Sequence, residues 1–214
     1  MASPGELVQV TAHSLGIEEG TVASHYRALR EAGLVTKAGR GPSAPEMTPA
    51  DAATLLISVA SGGLAKDAVD TIERYGALSP TLQTWNSHTD DEPDRGQAPI
   101  GAGGWAPKVL RLPRLVALGR DHSFRDALTA LIASVVDGTL VHRSFGGRSR
   151  HAVIIRLSSP VPEVVISANV RGINETLSYS DREAHASDGD FRTYRSFTSV
   201  TLTAIGQFLQ RNGS

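Results

Sequence analysis

Thr11–Val35 reads TAHSLGIEEGTVASHYRALREAGLV, and its pattern decides how the rest of the chain is arranged. Two helical stretches flank a tight turn at Leu15-Gly16-Ile17. Ala12 provides the small side chain that two touching helices need at their contact. Gly16, four positions later, tolerates the positive φ of the turn. Val22, Tyr26 and Leu29 recur at i, i+4 and i+7, which gives the second helix one apolar face. Gly33 can close that helix in the left-handed conformation, and Leu34-Val35 then begins an extended segment. The local expectation is a helix-turn-helix.

This run, ending in LREAGLV, resembles the DNA-binding half of winged helix-turn-helix regulators of the MarR/ArsR-like kind, such as those of bacteria or their prophages. The resemblance covers the N-terminal part only. It implies a recognition helix over 18–32, followed by a short β-wing: a strand at Leu34–Lys37, a loop over 38–43 and a return strand at Ala44–Met47. It also implies duplex DNA as the partner. Thr21, Ser24, His25, Arg27 and Arg30 are the helix residues expected to face it, with Lys37 and Arg40 contributing from the wing. Thr and Ser hydroxyls can donate to phosphates or base edges, and Arg can reach a guanine or a phosphate. The competing reading of each is a polar residue on a solvated helix face. The chain departs from the family in one respect. Only about ten residues precede Ala12, so the third packing helix must come from elsewhere, and 49–60 is the candidate.

Outside that motif, helix starts are the clearest signals. Ser3-Pro4-Gly5-Glu6, Thr48-Pro49-Ala50-Asp51 and Ser123-Phe124-Arg125-Asp126 each place a capping hydroxyl three residues before an acid. They open helices that bury Leu7, Val8, Ala12 and Leu15; then Leu55, Leu56 and Val59; then Ala127, Leu128, Leu131, Ile132 and Val135. A further helix is expected from Leu64 to about Tyr75, with Leu64, Ala68, Val69 and Ile72 inward. Residues 79–106 show neither helical nor strand periodicity and are rich in turn formers, so they read as a flexible linker. Strands are expected at Thr139–Phe145, His151–Leu157, Glu163–Val170 and Glu175–Ser180, joined by turns at Gly146-Gly147 and 158–162. Thr198–Leu209 reads as a helix with Val200, Ile205, Phe208 and Leu209 inward, although its threonines leave a strand open. The fold class is therefore α+β. A winged-helix-like domain over 1–78 is followed by the linker and by a C-terminal domain over 107–214, a small antiparallel sheet with packing helices that serves self-association or sensing.

Composition narrows the chemistry. The chain has no cysteine, which excludes disulfides, thiolate metal sites and cysteine nucleophiles. Its seven histidines show no H-x-H or H-E-x-x-H spacing, and no phosphate-binding G-x-x-x-x-G-K-[ST] occurs. Gly101–Gly104 lies in the expected linker, and the acids Asp90, Asp91, Glu92 and Asp94 read as solvated. No catalytic residue, metal or cofactor is expected. Net charge is −1 overall, but residues 95–156 hold ten Lys/Arg against three acids, either a solvated basic surface or a second contact with phosphates. The hairpin Arg143–His151 invites the same two readings. With neither a leader pattern nor a long apolar run, the expected compartment is the cytoplasm. The function these signals point to is a sequence-specific transcriptional regulator acting on double-stranded DNA as a homodimer. The alternatives are a phage-type small terminase or DNA-packaging adaptor, which would form a larger ring, and a protein-binding module that keeps the helix-turn-helix as scaffold.

Overall fold

The computed structural model describes residues 2–37, 46–87, 95–99, 107, 110–140, 144–145, 148–149, 153–170, 173–181 and 192–212. It is an α+β fold in which the helices lie mostly toward the N-terminus and the sheet is built largely from the C-terminal part. Helix α1 (Pro4–Leu15) starts at a reciprocal capping box between Ser3 and Glu6. Its end is set by Gly16 at φ 66°, where Gly16 N–H donates to His13 O and Ile17 N–H to Ala12 O. Helix α2 (Glu19–Glu31) ends the same way, with Gly33 at φ 75°, Gly33 N–H on Arg30 O and Leu34 N–H on Leu29 O. In both cases the left-handed glycine turns two otherwise orphaned carbonyls into acceptors, which ends the helix within one turn.

Helix α3 (Pro49–Ala60) begins at the Thr48/Asp51 box and is buried on every side from Asp51 to Ala60. It packs on α2, as expected of the third helix, and also on α6 (Phe124–Val136), which begins at the Ser123/Asp126 box. The segment after α3 is not one regular helix. It is a 3-10 turn (Ala65–Asp67), a single turn α4 (Ala68–Thr71) and a π-helical turn (Ile72–Gly76). Leu64, expected inward, is 63% exposed because it sits in extended backbone ahead of that helix rather than on its inner face. The last helix, α7 (Ser199–Asn212), settles the ambiguity at 198–209 in favour of helix. It covers α1 and α6, burying Ile205 and Leu209 with Phe208 half-buried, while Val200 points outward at 43% exposure instead of inward. A short helix α5 (Pro113–Val116) leads into α6.

Among the described residues the sheet has six antiparallel strands in the order β2-β1-β7-β6-β5-β8. They are β1 (Ser79–Ser87), β2 (Arg95–Pro99), β5 (Val153–Ser159), β6 (Glu163–Val170), β7 (Ile173–Ser180) and β8 (Thr193–Thr198). A separate two-residue ladder pairs β3 (Ser144–Phe145) with β4 (Arg148–Ser149), as expected of a hairpin at Gly146-Gly147. Strands β5, β6 and β7 match the expected runs. Strands β1 and β2 correct the linker expectation over part of 79–106, and β8 had no counterpart in the sequence reading. For β1 the reason is visible on its buried face, where it meets β7. Gln83 and Glu175 occupy inward positions and satisfy each other, Gln83 Nε2 donating to Glu175 Oε1 at 2.6 Å. A buried polar pair removes the apolar alternation by which a strand is recognised.

One continuous apolar core runs from Leu7 and Val22 through Leu56 and Leu131 to Ile155, Ile166 and Leu209, with no break at residue 78 or 107. Tyr75 OH donates to Ser158 O at 2.7 Å and Phe124 N–H to Leu78 O at 2.8 Å, tying helical and sheet segments together. At the sheet's centre Tyr179 packs against the rings of Phe124 and His122. Among the described residues no helix is long and apolar enough to cross a membrane.

Candidate nucleic-acid interface

The position of α2 follows from its inner face. Val22 and Leu29 are fully buried and Tyr26 nearly so. Burial of three such side chains contributes on the order of 1.5–3 kcal/mol each, enough to fix the helix's rotation about its own axis. What remains outward is polar: Thr21, Ser24, Arg27 and Arg30 are all exposed, together with Glu19, Gly20 and Glu31. Thr21, Ser24 and Arg27 form one stripe, with Gly20 keeping its upper end low. Arg30 lies about 60° round from Arg27 on a 3.6-residue helix. Ser24 Oγ donates to Gly20 O at 2.8 Å, so its remaining capacity outward is to accept. Glu18 and Glu19 lie at the helix's positive end, where their charge is stabilised, and the stripe becomes more basic toward Arg27.

His25 does not belong to that stripe. It is 2% exposed, on the inner side, with Nδ1 2.8 Å from Ser58 Oγ on α3. Burial holds its pKa below the ordinary histidine value, opposed by a hydrogen bond that the ring donates to the Gly63 backbone. The expectation that it meets DNA is thereby corrected: one step round from Ser24 carries position 25 into the α2–α3 contact.

The second structural element of this surface is a clasp on Asp51. Its carboxylate accepts from Thr36 N–H (2.7 Å), Thr36 Oγ1 (2.9 Å), Thr48 N–H (2.8 Å) and Thr48 Oγ1 (2.8 Å). Tyr26 OH reaches Thr36 O and Met47 Sδ from α2, and Met47 N–H donates to Ala2 O. Burial first, and then the charge of Asp51, push the Tyr26 phenol's pKa up, with Arg30 opposing. The two ends of the 37–47 segment are thus held beside α2. Lys37 is exposed immediately after the clasped Thr36. The strands expected at 34–37 and 44–47 do not form among the described residues, since the Thr36 and Met47 N–H groups donate to Asp51 and Ala2. Arg40 and the rest of the expected wing loop lie outside the described residues, as do the acids 90–94 and Gly101–Gly104.

Asp51 was legible as a helix-capping acid, but nothing in its spacing announced Thr36 as a further partner. Of the basic residues over 95–156, Arg114 pairs with Asp137 at 2.6 Å and Arg120 with Asp121 at 3.4 Å. Arg156 lies 5.9 Å over the Tyr194 ring. The side chains of the Arg143–His151 hairpin lie outside the description. Among the described residues no group of three or more acids and histidines could hold a metal ion. Comparison of the chain with protein-family models, with curated proteins and with solved structures finds no match.

Proposed function

We propose that the chain is a double-stranded DNA-binding transcriptional regulator of the cytoplasm that acts as a homodimer, reading the major groove with α2. The observation that carries this reading is the exposed polar stripe Thr21, Ser24, Arg27 on a helix whose opposite face is fully buried. A rigidly backed helix presenting short hydroxyls and an arginine offers groups that can approach base edges and phosphates together. Lys37, held at the flank by the Asp51 clasp, supplies a backbone contact. Two copies are required because one recognition helix contacts only a half-site, whereas two linked half-sites multiply affinity.

The test is a salt titration of binding to duplex genomic fragments, comparing the wild type with an Arg27→Ala/Lys37→Ala variant. Each phosphate contact contributes about 0.9 to the slope of log K against log salt, so the double variant is expected to lose about 2 from that slope. Equal slopes in the two proteins, or no wild-type binding at low salt, would overturn the reading and leave α2 as the face of a protein-binding module.

A further inference from the structure

We infer that the outer edge of β8 is the surface through which two copies of this chain associate, antiparallel and about a two-fold axis at Ser196; the inference rests on the homodimer part of the proposed function. Strand β8 pairs with β5 over six consecutive residues without a bulge, and among the described residues no strand pairs with its other side. Such an edge presents a row of backbone N–H and C=O groups whose natural complement is another strand. The opposite edge of the sheet, β2, carries Gly96 and Pro99, and proline is one of the devices that blunt an edge. Strand β8, TYRSFT, has neither residue type. Its one charged side chain is drawn off the edge, since Arg195 Nη1 donates to Ser61 O at 3.0 Å. Tyr194 remains 59% exposed.

The register follows from which face each residue occupies. Phe197 is buried and Arg195 reaches α3, so 195 and 197 face the helices while 194, 196 and 198 face the other way. Residues directly opposed across an antiparallel pair share a face, so a symmetric pairing must be centred on a residue. A centre at Arg195 would set two guanidinium groups against each other, and directly opposed like charges are destabilising. A centre at Ser196 sets Tyr194 against Thr198 of the second copy and Arg195 against Phe197. That register leaves no like charges opposed.

The edge is also tied to the recognition helix. Arg195 reaches Ser61 O, Ser61 Oγ donates to Ser58 O, and Ser58 Oγ meets His25 Nδ1 on α2. Joining two copies at β8 therefore sets the separation of their two α2 helices through the end of α3.

The native chain lacks cysteine, so an introduced thiol is the only one present. Under mild oxidation, without DNA, Ser196→Cys is expected to form an interchain disulfide. Tyr194→Cys and Thr198→Cys are expected not to do so alone, since each would lie about 13 Å from its own copy, but to cross-link when mixed. Sedimentation is expected to give a dimer for the wild type and a monomer for Tyr194→Lys/Ser196→Lys. A wild-type monomer, a ring, a dimeric lysine variant, or a wild-type dimer in which Ser196→Cys stays reduced would each overturn the assignment. None of these readouts involves DNA, so failure of the edge and failure of the DNA-binding reading are distinguished.

Discussion

Thr36 gives both its backbone N–H and its Oγ1 to the carboxylate of Asp51, at 2.7 and 2.9 Å. A single acid thereby caps α3 and anchors the chain that leaves α2. Asp51 is 4% exposed, so removing its carboxylate strands donors that water cannot easily reach. Asp51→Ala is expected to cost about 3 kcal/mol, whereas Thr36→Val, which deletes one donor only, should cost about 1 kcal/mol. Urea unfolding of the two variants checks the ratio. No loss in Thr36→Val would mean that the capping box alone matters.

Stability should fall in mild acid through two histidines. His25 and His122 both have folded-state pKa values below the ordinary 6.5, in each case mainly because burial penalises the charged ring. His122 Nε2 is 3.0 Å from Tyr179 OH and its Nδ1 2.8 Å from Gly119 O, an arrangement suited to the neutral ring. The unfolded chain therefore binds protons that the folded chain resists. Stability is fully present above about pH 7 and falls as pH drops below the unfolded value of about 6.5, levelling only beneath the folded pKa values. Urea midpoints between pH 8 and pH 5 should decline in the wild type and decline less in His25→Gln and His122→Gln.

The crossing of α6 and α7 depends on Gly206. A Cβ there would stand 2.5 Å from both Cβ and Cγ1 of Val135. Alanine is the better helix former by about 1 kcal/mol, yet overpacking a tight contact costs about 1–3 kcal/mol, and that term should prevail. Gly206→Ala is expected to lower the melting temperature, and Val135→Ala in the same chain to recover part of the loss. Simple additivity in that double-mutant cycle would rule the contact out as the cause.

Because α7 covers α1 and α6 covers α3, a fragment ending at residue 78 would expose Leu55, Leu56 and their neighbours. Such a fragment is expected to bind a hydrophobic dye and to lack a cooperative thermal transition, while the whole chain melts in one step. A cooperatively folding 1–78 fragment would show that the N-terminal helices close their own core.

Local chemistry was readable in the sequence, and it determined much. Three capping boxes, two left-handed glycines and the i, i+4, i+7 spacing of Val22, Tyr26 and Leu29 are satisfied within one or two turns of chain, so composition and spacing suffice to place α1, α2, α3 and α6. The Val/Ile-rich runs of β5 and β6 are equally local signals. What only the tertiary structure decided are contacts between residues far apart in sequence. Gln83 and Glu175 are polar, yet pairing 92 positions apart makes their strands part of a buried sheet. His25 looked like its polar neighbours on α2 until Ser58, 33 residues on, put it inside. Asp51 became a clasp, Arg195 a tether to α3, and α7 the cover of α1, each through a partner that no nearby residue announces. A buried polar group is stable only if its hydrogen bonds are met, and where those partners come from is a property of the assembled fold.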